Sequence, residues 1–168
     1  MFLGTDLLSG QCLFNLTMYY IKRKKSTTPR KRKSGGLQTL VRKLDKVFSR
    51  YIRLRDAMPG GMTRCISCGK IKPISSMDCG HFYSRTHMST RFDEQNCNSE
   101  CSFCNRFSAD HLIGYRENLI KKIGVQRFKL LEVKAHETKK WSCFELEQLI
   151  KYYKVLGDKL SKEKGIKI

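Results

Sequence analysis

Eight cysteines are the residues of this chain best suited to chemistry, and half of them fall into two pairs of identical spacing. A Cys-x-x-Cys turn presents two thiolates to one ion, and two such turns complete the tetrahedral shell that zinc prefers. We therefore predict a structural Zn²⁺ site formed by Cys65, Cys68, Cys101 and Cys104. A shell closed by four thiolates has no open position, so this ion does not itself activate water.

The remaining cysteines carry weaker signals. Cys97 lies four residues before Cys101 and is an alternative ligand for the same site. Cys12, Cys79 and Cys143 fit better as small hydrophobic residues. Paired spacing in a strongly basic chain indicates a metal site in a reducing compartment rather than a secreted disulfide set.

The segment between the two cysteine pairs contains a histidine and two asparagines in an informative order. His81 falls on a strand-like stretch over residues 74–82, and Asn96 closes a second such stretch over 91–96. Asn105 comes directly after the second cysteine pair. A histidine on the first strand, an asparagine in the loop and an Asn or His after Cys-x-x-Cys is the order found in HNH (His-metal finger) nucleases.

The chemistry of phosphodiester hydrolysis suits these residue types, since it needs an attacking water, a base and a cation at the phosphate. A neutral imidazole at His81 can take the proton near physiological pH. The side-chain oxygen of Asn105 suits a catalytic Mg²⁺ or Mn²⁺, and Asn96 is expected to hold the loop that orients the imidazole. Asp78 is either a further metal ligand or a structural acid. In a regular strand it faces away from His81, so ligation needs a bulge at Gly80.

The other histidines have no comparable surroundings in the sequence. His87, His111 and His136 are each predicted to be surface residues. His111 and Asp110 nevertheless follow Asn105 closely enough in sequence to reach the same site, and this alternative stays open.

A large positive charge indicates the partner. The chain carries 34 Lys and Arg against 15 Asp and Glu, a net charge of +19, which favours a polyanion. Fourteen of the basic residues lie in residues 22–55, with Asp45 the only acid there. That concentration of charge indicates a nucleic acid rather than an anionic membrane face, and we predict DNA as the partner. The first 21 residues are too interrupted by polar residues for a membrane span. The predicted DNA contacts are Lys22, Arg23, Lys24, Lys25, Arg30, Lys31, Arg32, Lys33, Arg42, Lys43, Arg50, Arg53, Arg85, Arg91 and Arg106.

Two segments are predicted along the chain. Residues 1–36 form a flexible N-terminal segment that includes a basic arm over 22–36. We expect its first stretch, residues 1–17, to be dispensable or to precede the true translation start. Residues 37–165 form a single zinc-containing domain with an HNH-like nuclease centre.

The predicted fold class is α+β. A small zinc-stapled, treble-clef-like ββα centre of HNH type is flanked by a basic N-terminal helix and by C-terminal helices. Pro59 and the glycines beside it end the first helix, Gly124 separates two short helices, and Ser142 with Glu145 has the spacing of a capping box. The predicted helices cover residues 37–57, 111–123, 125–136 and 142–162.

Together these motifs resemble those of the Rap (NinG) recombination proteins of lambdoid phages. Their order and spacing together are more specific than any motif alone, and the resemblance covers roughly residues 37–160. It rests on YIRLRD at 51–56, CISCG at 65–69, DCGH at 78–81, RFDEQN at 91–96, CSFCN at 101–105, YRENLI at 115–120, Ile123-Gly124 and Trp141.

The resemblance implies a structure-specific nuclease of phage recombination that cuts branched DNA, such as Holliday junctions and D-loops, with magnesium. It assigns the zinc to the four paired cysteines and the active site to His81, with Asn96 and Asn105 beside it. It also implies the cytoplasm of a bacterial host. Because resolving a junction requires paired cuts, a homodimer is a further expectation.

Two other readings of the sequence remain. One is a non-catalytic zinc module that binds DNA or RNA through charge and shape. The other is a basic assembly protein, such as a ribosome-associated factor. His81, Asn96 and Asn105 separate the nuclease from both, because a protein that only binds needs the zinc and the cations but not these three side chains.

Overall fold

The computed structural model describes residues 36–168 of the chain. The predictions for residues 1–17 and for the basic arm, Gly36 apart, lie outside these described residues. The elements in chain order are α1 (Leu37–Asp56), β1 (Met62–Arg64), β2 (Ile71–Pro73), β3 (Met77–His81), β4 (Cys97–Cys101), α2 (Ser102–Phe107), α3 (His111–Ile123), α4 (Val125–Ala135) and α5 (Cys143–Lys164).

The main hydrophobic core forms where α1 packs against α5. The three- and four-residue spacing of apolar side chains in α1 buries Leu44 and Phe48 on one face, as the periodicity predicts. Leu146 and Tyr153 of α5 meet them, and the rings of Phe48 and Tyr153 lie edge to face with centroids 4.8 Å apart. The two long helices therefore form a platform against which the strands pack.

The last helix begins with the predicted capping box. The Ser142 hydroxyl accepts the backbone N–H of Glu145 at 3.2 Å, and the Glu145 carboxylate accepts the backbone N–H of Ser142 at 2.8 Å. Two N–H groups that the helix leaves unpaired at its start are thus satisfied. Hydrogen bonds from Lys139 and Ser142 hold the pKa of Glu145 down at about 2.

Two small antiparallel sheets lie between the first and second helices. The first pairs β1 with β2, and the second pairs β3 with β4 in an unbroken register from Met77 opposite Cys101 to His81 opposite Cys97. Residues 91–96, expected to be strand-like, form turns instead. The physical reason is that the Asn96 side chain hydrogen-bonds the loop backbone, which replaces a strand ladder there.

Charged side chains tie the β3–β4 hairpin to the end of α1. Asp56 accepts the backbone N–H of Ser99 at 2.8 Å, and Arg55 donates to the Cys97 carbonyl at 2.9 Å. Burial alone raises the pKa of Asp56, but the hydrogen bonds and charge of Arg55, with help from Lys122, outweigh it and lower the pKa. The hairpin is therefore fixed by charge-assisted bonds as well as by apolar packing.

Helices α3 and α4 form a second cluster on the other side of the hairpin. Tyr115 and Leu119 of α3 are buried against Phe128 and Leu131 of α4. The Tyr115 hydroxyl donates to the Gly80 carbonyl at 3.0 Å, which attaches α3 to β3.

The described chain is thus a mixed α+β structure with two small two-stranded sheets and five α-helices. Its centre runs β3–β4–α2 in chain order, with a cysteine pair before β3 and another at the β4–α2 boundary. Among the described residues, no helix has the length and apolar composition that crossing a bilayer requires.

Candidate functional site

The four paired cysteines converge on one point. The sulfurs of Cys65, Cys68, Cys101 and Cys104 all lie within 4.8 Å of one another, and those of Cys68 and Cys101 are 4.0 Å apart. Gly69, with a φ of 71°, reverses the chain after the first pair, and its N–H donates to the Cys65 carbonyl at 2.9 Å. The donor set is four thiols in a compact arrangement, so this cluster could bind a metal such as zinc.

Cys97, the predicted alternative ligand, lies outside that cluster. Its sulfur is within 4.8 Å of the Cys79 sulfur and of a His81 ring nitrogen. Cys79 and Cys97 are both buried in the main core, and burial raises the pKa of the Cys97 thiol well above its ordinary value. Cys143, expected to be a small hydrophobic residue, is instead exposed as the first residue of α5.

His81 is the last residue of β3 and is half-buried. One ring nitrogen, Nδ1, lies 3.2 Å from the Cys79 carbonyl oxygen, and the other, Nε2, lies 3.1 Å from the Arg91 carbonyl oxygen. A neutral imidazole has one N–H, so only one of these carbonyls accepts a hydrogen bond from it. Burial lowers the pKa of His81 and the positive charge of Arg85 lowers it further, so the neutral ring is favoured.

Asn96 holds the loop that follows His81. It is fully buried, and its side-chain oxygen accepts the backbone N–H of Tyr83 at 2.7 Å. Its side-chain nitrogen donates to the carbonyls of Tyr83 at 2.9 Å and Thr90 at 3.0 Å. One carboxamide thus fixes both sides of the loop that carries the Arg91 carbonyl.

Asn105 meets Asp78 rather than His81. The Asn105 side-chain nitrogen donates to the Asp78 carboxylate at 3.1 Å, and Arg106 binds the same carboxylate through two nitrogens at 2.9 Å. Partial burial raises the pKa of Asp78, but the hydrogen bonds and charge of Arg106, with the bond from Asn105, outweigh it and lower the pKa. Asp78 is therefore held as a carboxylate beside a carboxamide.

The two halves of the predicted site lie on opposite faces of the hairpin. Successive side chains of a strand alternate between faces. His81 therefore shares a face with Cys79 and Cys97, while Asp78 shares the other face with Glu100. The register passes Gly80 without interruption, so no bulge brings Asp78 round to His81.

The predicted DNA contacts fall into three groups. Arg91 is bound to Asp45 at 2.7 and 3.1 Å, and Arg50 to Asp158 at 2.8 Å, so these guanidiniums already have carboxylate partners. Arg106, though paired with Asp78, keeps 60% of its side chain exposed. Arg53 is half-buried, Arg42, Lys43 and Arg85 are exposed, and Lys22, Arg23, Lys24, Lys25, Arg30, Lys31, Arg32 and Lys33 lie outside the described residues.

Glu100 is the polar residue that sequence reasoning missed. It is fully buried and accepts hydrogen bonds from the Ser67 hydroxyl and from Nδ1 of His111, the latter at 2.7 Å. A signal was present in the sequence, because Gly80 stands beside the histidine where a side chain would be expected. A Cβ at position 80 would collide with the Glu100 carboxylate.

Comparison with known proteins gives one consistent family. The family model described as "Bacteriophage Lambda NinG protein" matches residues 20–163. The chain is 30% identical over 121 residues to the "Protein ninG" of Escherichia phage 933W, which covers 70% of this chain and 57% of that protein. It is 28% identical over 111 residues to the protein of the same name from Escherichia phage lambda, covering 65% and 51%. The chain thus spans a little over half the length of these curated relatives. No solved structure matches.

Proposed function

Because the chain belongs to the NinG family of phage proteins, we propose that it is a recombination endonuclease that cuts branched DNA by metal-assisted hydrolysis. The observation that carries the proposal is the β3–β4–α2 centre beside the cysteine cluster. Within it, the Asp78 carboxylate and the Asn105 carboxamide lie 3.1 Å apart, and the strand that carries Asp78 ends at His81.

The oxygen pair suits a hard divalent cation. Asp78 is held in its carboxylate form, and Asn105 turns its nitrogen toward Asp78. The Asn105 oxygen has no hydrogen-bond partner within residues 36–168, so it can act as a ligand. Mg²⁺ or Mn²⁺ bound there would stabilise the charge that develops on the phosphate. Arg106 then has to leave Asp78, and its exposed guanidinium is suited to hold a phosphate oxygen instead.

His81 supplies the base in this proposal. Its lowered pKa keeps the ring neutral at physiological pH, and one nitrogen carries a lone pair that can accept a proton from water. Asn96 donates to the Thr90 carbonyl and so holds the loop whose next residue, Arg91, turns its carbonyl toward the ring. Because His81 and Asp78 lie on opposite faces, the proposal requires the scissile phosphate to bind around the end of β3.

Cleavage of a labelled four-way junction with magnesium tests the proposal. His81→Ala should abolish cutting while DNA binding and zinc content stay at the wild-type level. His136→Ala is the matched control, because His136 is exposed at the C-terminal end of α4, beside His87 of the hairpin loop, and contacts neither His81 nor Asp78. The proposal fails if the wild type does not cut with either magnesium or manganese, or if His81→Ala cuts normally.

A second candidate function is a zinc module that binds nucleic acid without cutting it. Two contacts favour it, because both ring nitrogens of His81 face backbone carbonyls and Arg106 already occupies Asp78. The same experiment separates the two functions. A binding module gives salt-dependent binding of the junction, no products with either metal, and no response to His81→Ala.

A further inference from the structure

A buried carboxylate–histidine pair lies on the same face of the hairpin as Asp78. Glu100 is directly opposite Asp78 in the β3–β4 register, so both side chains point to one face. The Glu100 oxygen Oε1 accepts the His111 Nδ1–H at 2.7 Å. Its second oxygen, Oε2, is buried and has no hydrogen-bond partner among the described residues. Burying a carboxylate with one oxygen unpaired lowers the stability of the fold, so the presence of Glu100 at this position needs an explanation.

Two glycines make room for this pair. A Cβ on Gly80 would collide with the Glu100 carboxylate, and a Cβ on Gly114 would collide with the backbone carbonyl oxygen of Ser67. Gly114 therefore lets α3 approach the first cysteine turn closely enough for His111, in the first turn of α3, to reach Glu100. Ser67 belongs to that same turn and also donates to the carboxylate.

The pair leaves the other nitrogen of His111 available. Because Glu100 holds Nδ1, the orientation and tautomer of the ring are fixed, as in other carboxylate–histidine pairs. Nε2 has no hydrogen-bond partner within residues 36–168, and 21% of the side chain is exposed. Asn105 is on α2, the helix directly before α3, and contacts Asp78 on this face. His111 thus lies on the face of the hairpin that carries Asp78, whereas His81 lies on the face that carries Cys79 and Cys97.

We infer that His111, positioned by Glu100, is the proton donor to the leaving oxygen in the reaction proposed above, on which this inference rests. The water oxygen bonds to phosphorus after His81 has taken its proton. The bond from phosphorus to the bridging oxygen breaks, and its electron pair stays on that oxygen, which takes the proton from His111 Nε2. Solvent then returns a proton to His111. Glu100 acts through His111 by stabilising its protonated ring.

A junction with sulfur in place of the leaving oxygen tests this role, because a thiolate leaves without being protonated. Which bridging oxygen to replace is read from the product ends of the wild-type reaction. His111→Ala should cleave the unmodified junction (the oxygen junction) about 10²- to 10⁴-fold more slowly than the wild type. It should cleave the sulfur-substituted junction (the sulfur junction) at close to the wild-type rate. Glu100→Gln, which keeps the side-chain shape, should cleave the unmodified junction about 10- to 100-fold more slowly than the wild type. It should cleave the sulfur-substituted junction at close to the wild-type rate. Sulfur substitution should not restore cleavage by His81→Ala. His136→Ala should cleave both junctions at the wild-type rate.

Three results would overturn the inference. One is normal cutting of the oxygen junction by His111→Ala, and another is an equal loss on both junctions, which marks a structural role. The third does not depend on cleavage: ¹⁵N shifts of the imidazole in the zinc-loaded protein should place the proton of neutral His111 on Nδ1, and a proton on Nε2 would exclude the pair. A wild type that cuts neither junction removes the nuclease proposal and the donor role together, whereas the ¹⁵N result still reports on the pair alone.

Discussion

At the scale of single residues, the environment of His81 sets how the proposed reaction should respond to pH. A general base works only when it is unprotonated and the proposed donor His111 only when it is protonated, so kcat/KM should follow a bell-shaped pH profile whose rising limb reports the pKa of His81. Since burial and Arg85 lower that pKa, the rise should be centred below the ordinary histidine value of about 6.5.

Arg85→Gln checks the sign of this effect. Removal of the positive charge takes away one cause of the lowered pKa, so the acid limb of the profile should move to higher pH. Arg42→Gln is the matched control, because Arg42 is exposed on α1 and is not among the groups that shift His81. An acid limb that stays in place, or moves to lower pH, would contradict the assignment of His81 as the base.

Residue types and spacing were enough to predict the cysteine cluster, because its four ligands occur as two identical local turns. They also predicted a loop-holding role for Asn96, and its three hydrogen bonds to the loop backbone are of that kind. The partners of Asp78 and Glu100 could not be predicted in the same way. They depend on how α2 and α3 fold back over the hairpin, and that contact is not encoded in any local pattern.

At the scale of elements, the docking of α3 depends on the absence of a side chain at Gly114. Gly114→Ala should push α3 away from the first cysteine turn and destabilise the zinc-loaded protein by about 1–3 kcal/mol in urea unfolding. Glu117→Ala is the control, since Glu117 is exposed on the same helix and has no hydrogen-bond or ion-pair partner among the described residues. An unchanged or increased stability of Gly114→Ala would show that α3 is not held this closely.

The helices were the easiest elements to predict. Apolar periodicity marked α1, Gly124 separated α3 from α4, and the capping box placed the start of α5. The strands were harder, because a pairing between Asp78 and Glu100 joins residues 22 positions apart. Residues 91–96 have strand-like composition, yet the side chain of Asn96 makes the loop hydrogen bonds that turn the chain there.

At the scale of the whole molecule, the cysteine cluster joins segments from separate parts of the chain. Cys104→Ser should lower the zinc content measured by atomic absorption and destabilise the fold, because metal binding contributes directly to folding. Cys143→Ser should change neither, since Cys143 is exposed and lies outside the cluster. Equal zinc content in the two variants would exclude the cluster as the metal site.

The net charge of +19 leads to a second prediction at this scale. The logarithm of DNA affinity should fall linearly with the logarithm of salt, by about 0.9 for each phosphate contact. Deletion of residues 22–36 removes eight of the basic residues and no acid, so the slope should flatten by up to about seven. A deletion variant with the wild-type slope would show that this segment makes no phosphate contacts.

A side chain at position 80 would occupy the space that the Glu100 side chain fills, so these two positions cannot change independently during evolution. A side chain can occupy that space from β3 or from β4, but not from both strands. A substitution that adds a Cβ at position 80 is therefore tolerated only after position 100 has become shorter, and the order of the two changes matters. In an alignment of relatives, we expect positions 80 and 100 to covary, with residue 111 changing whenever position 100 no longer offers it an acceptor.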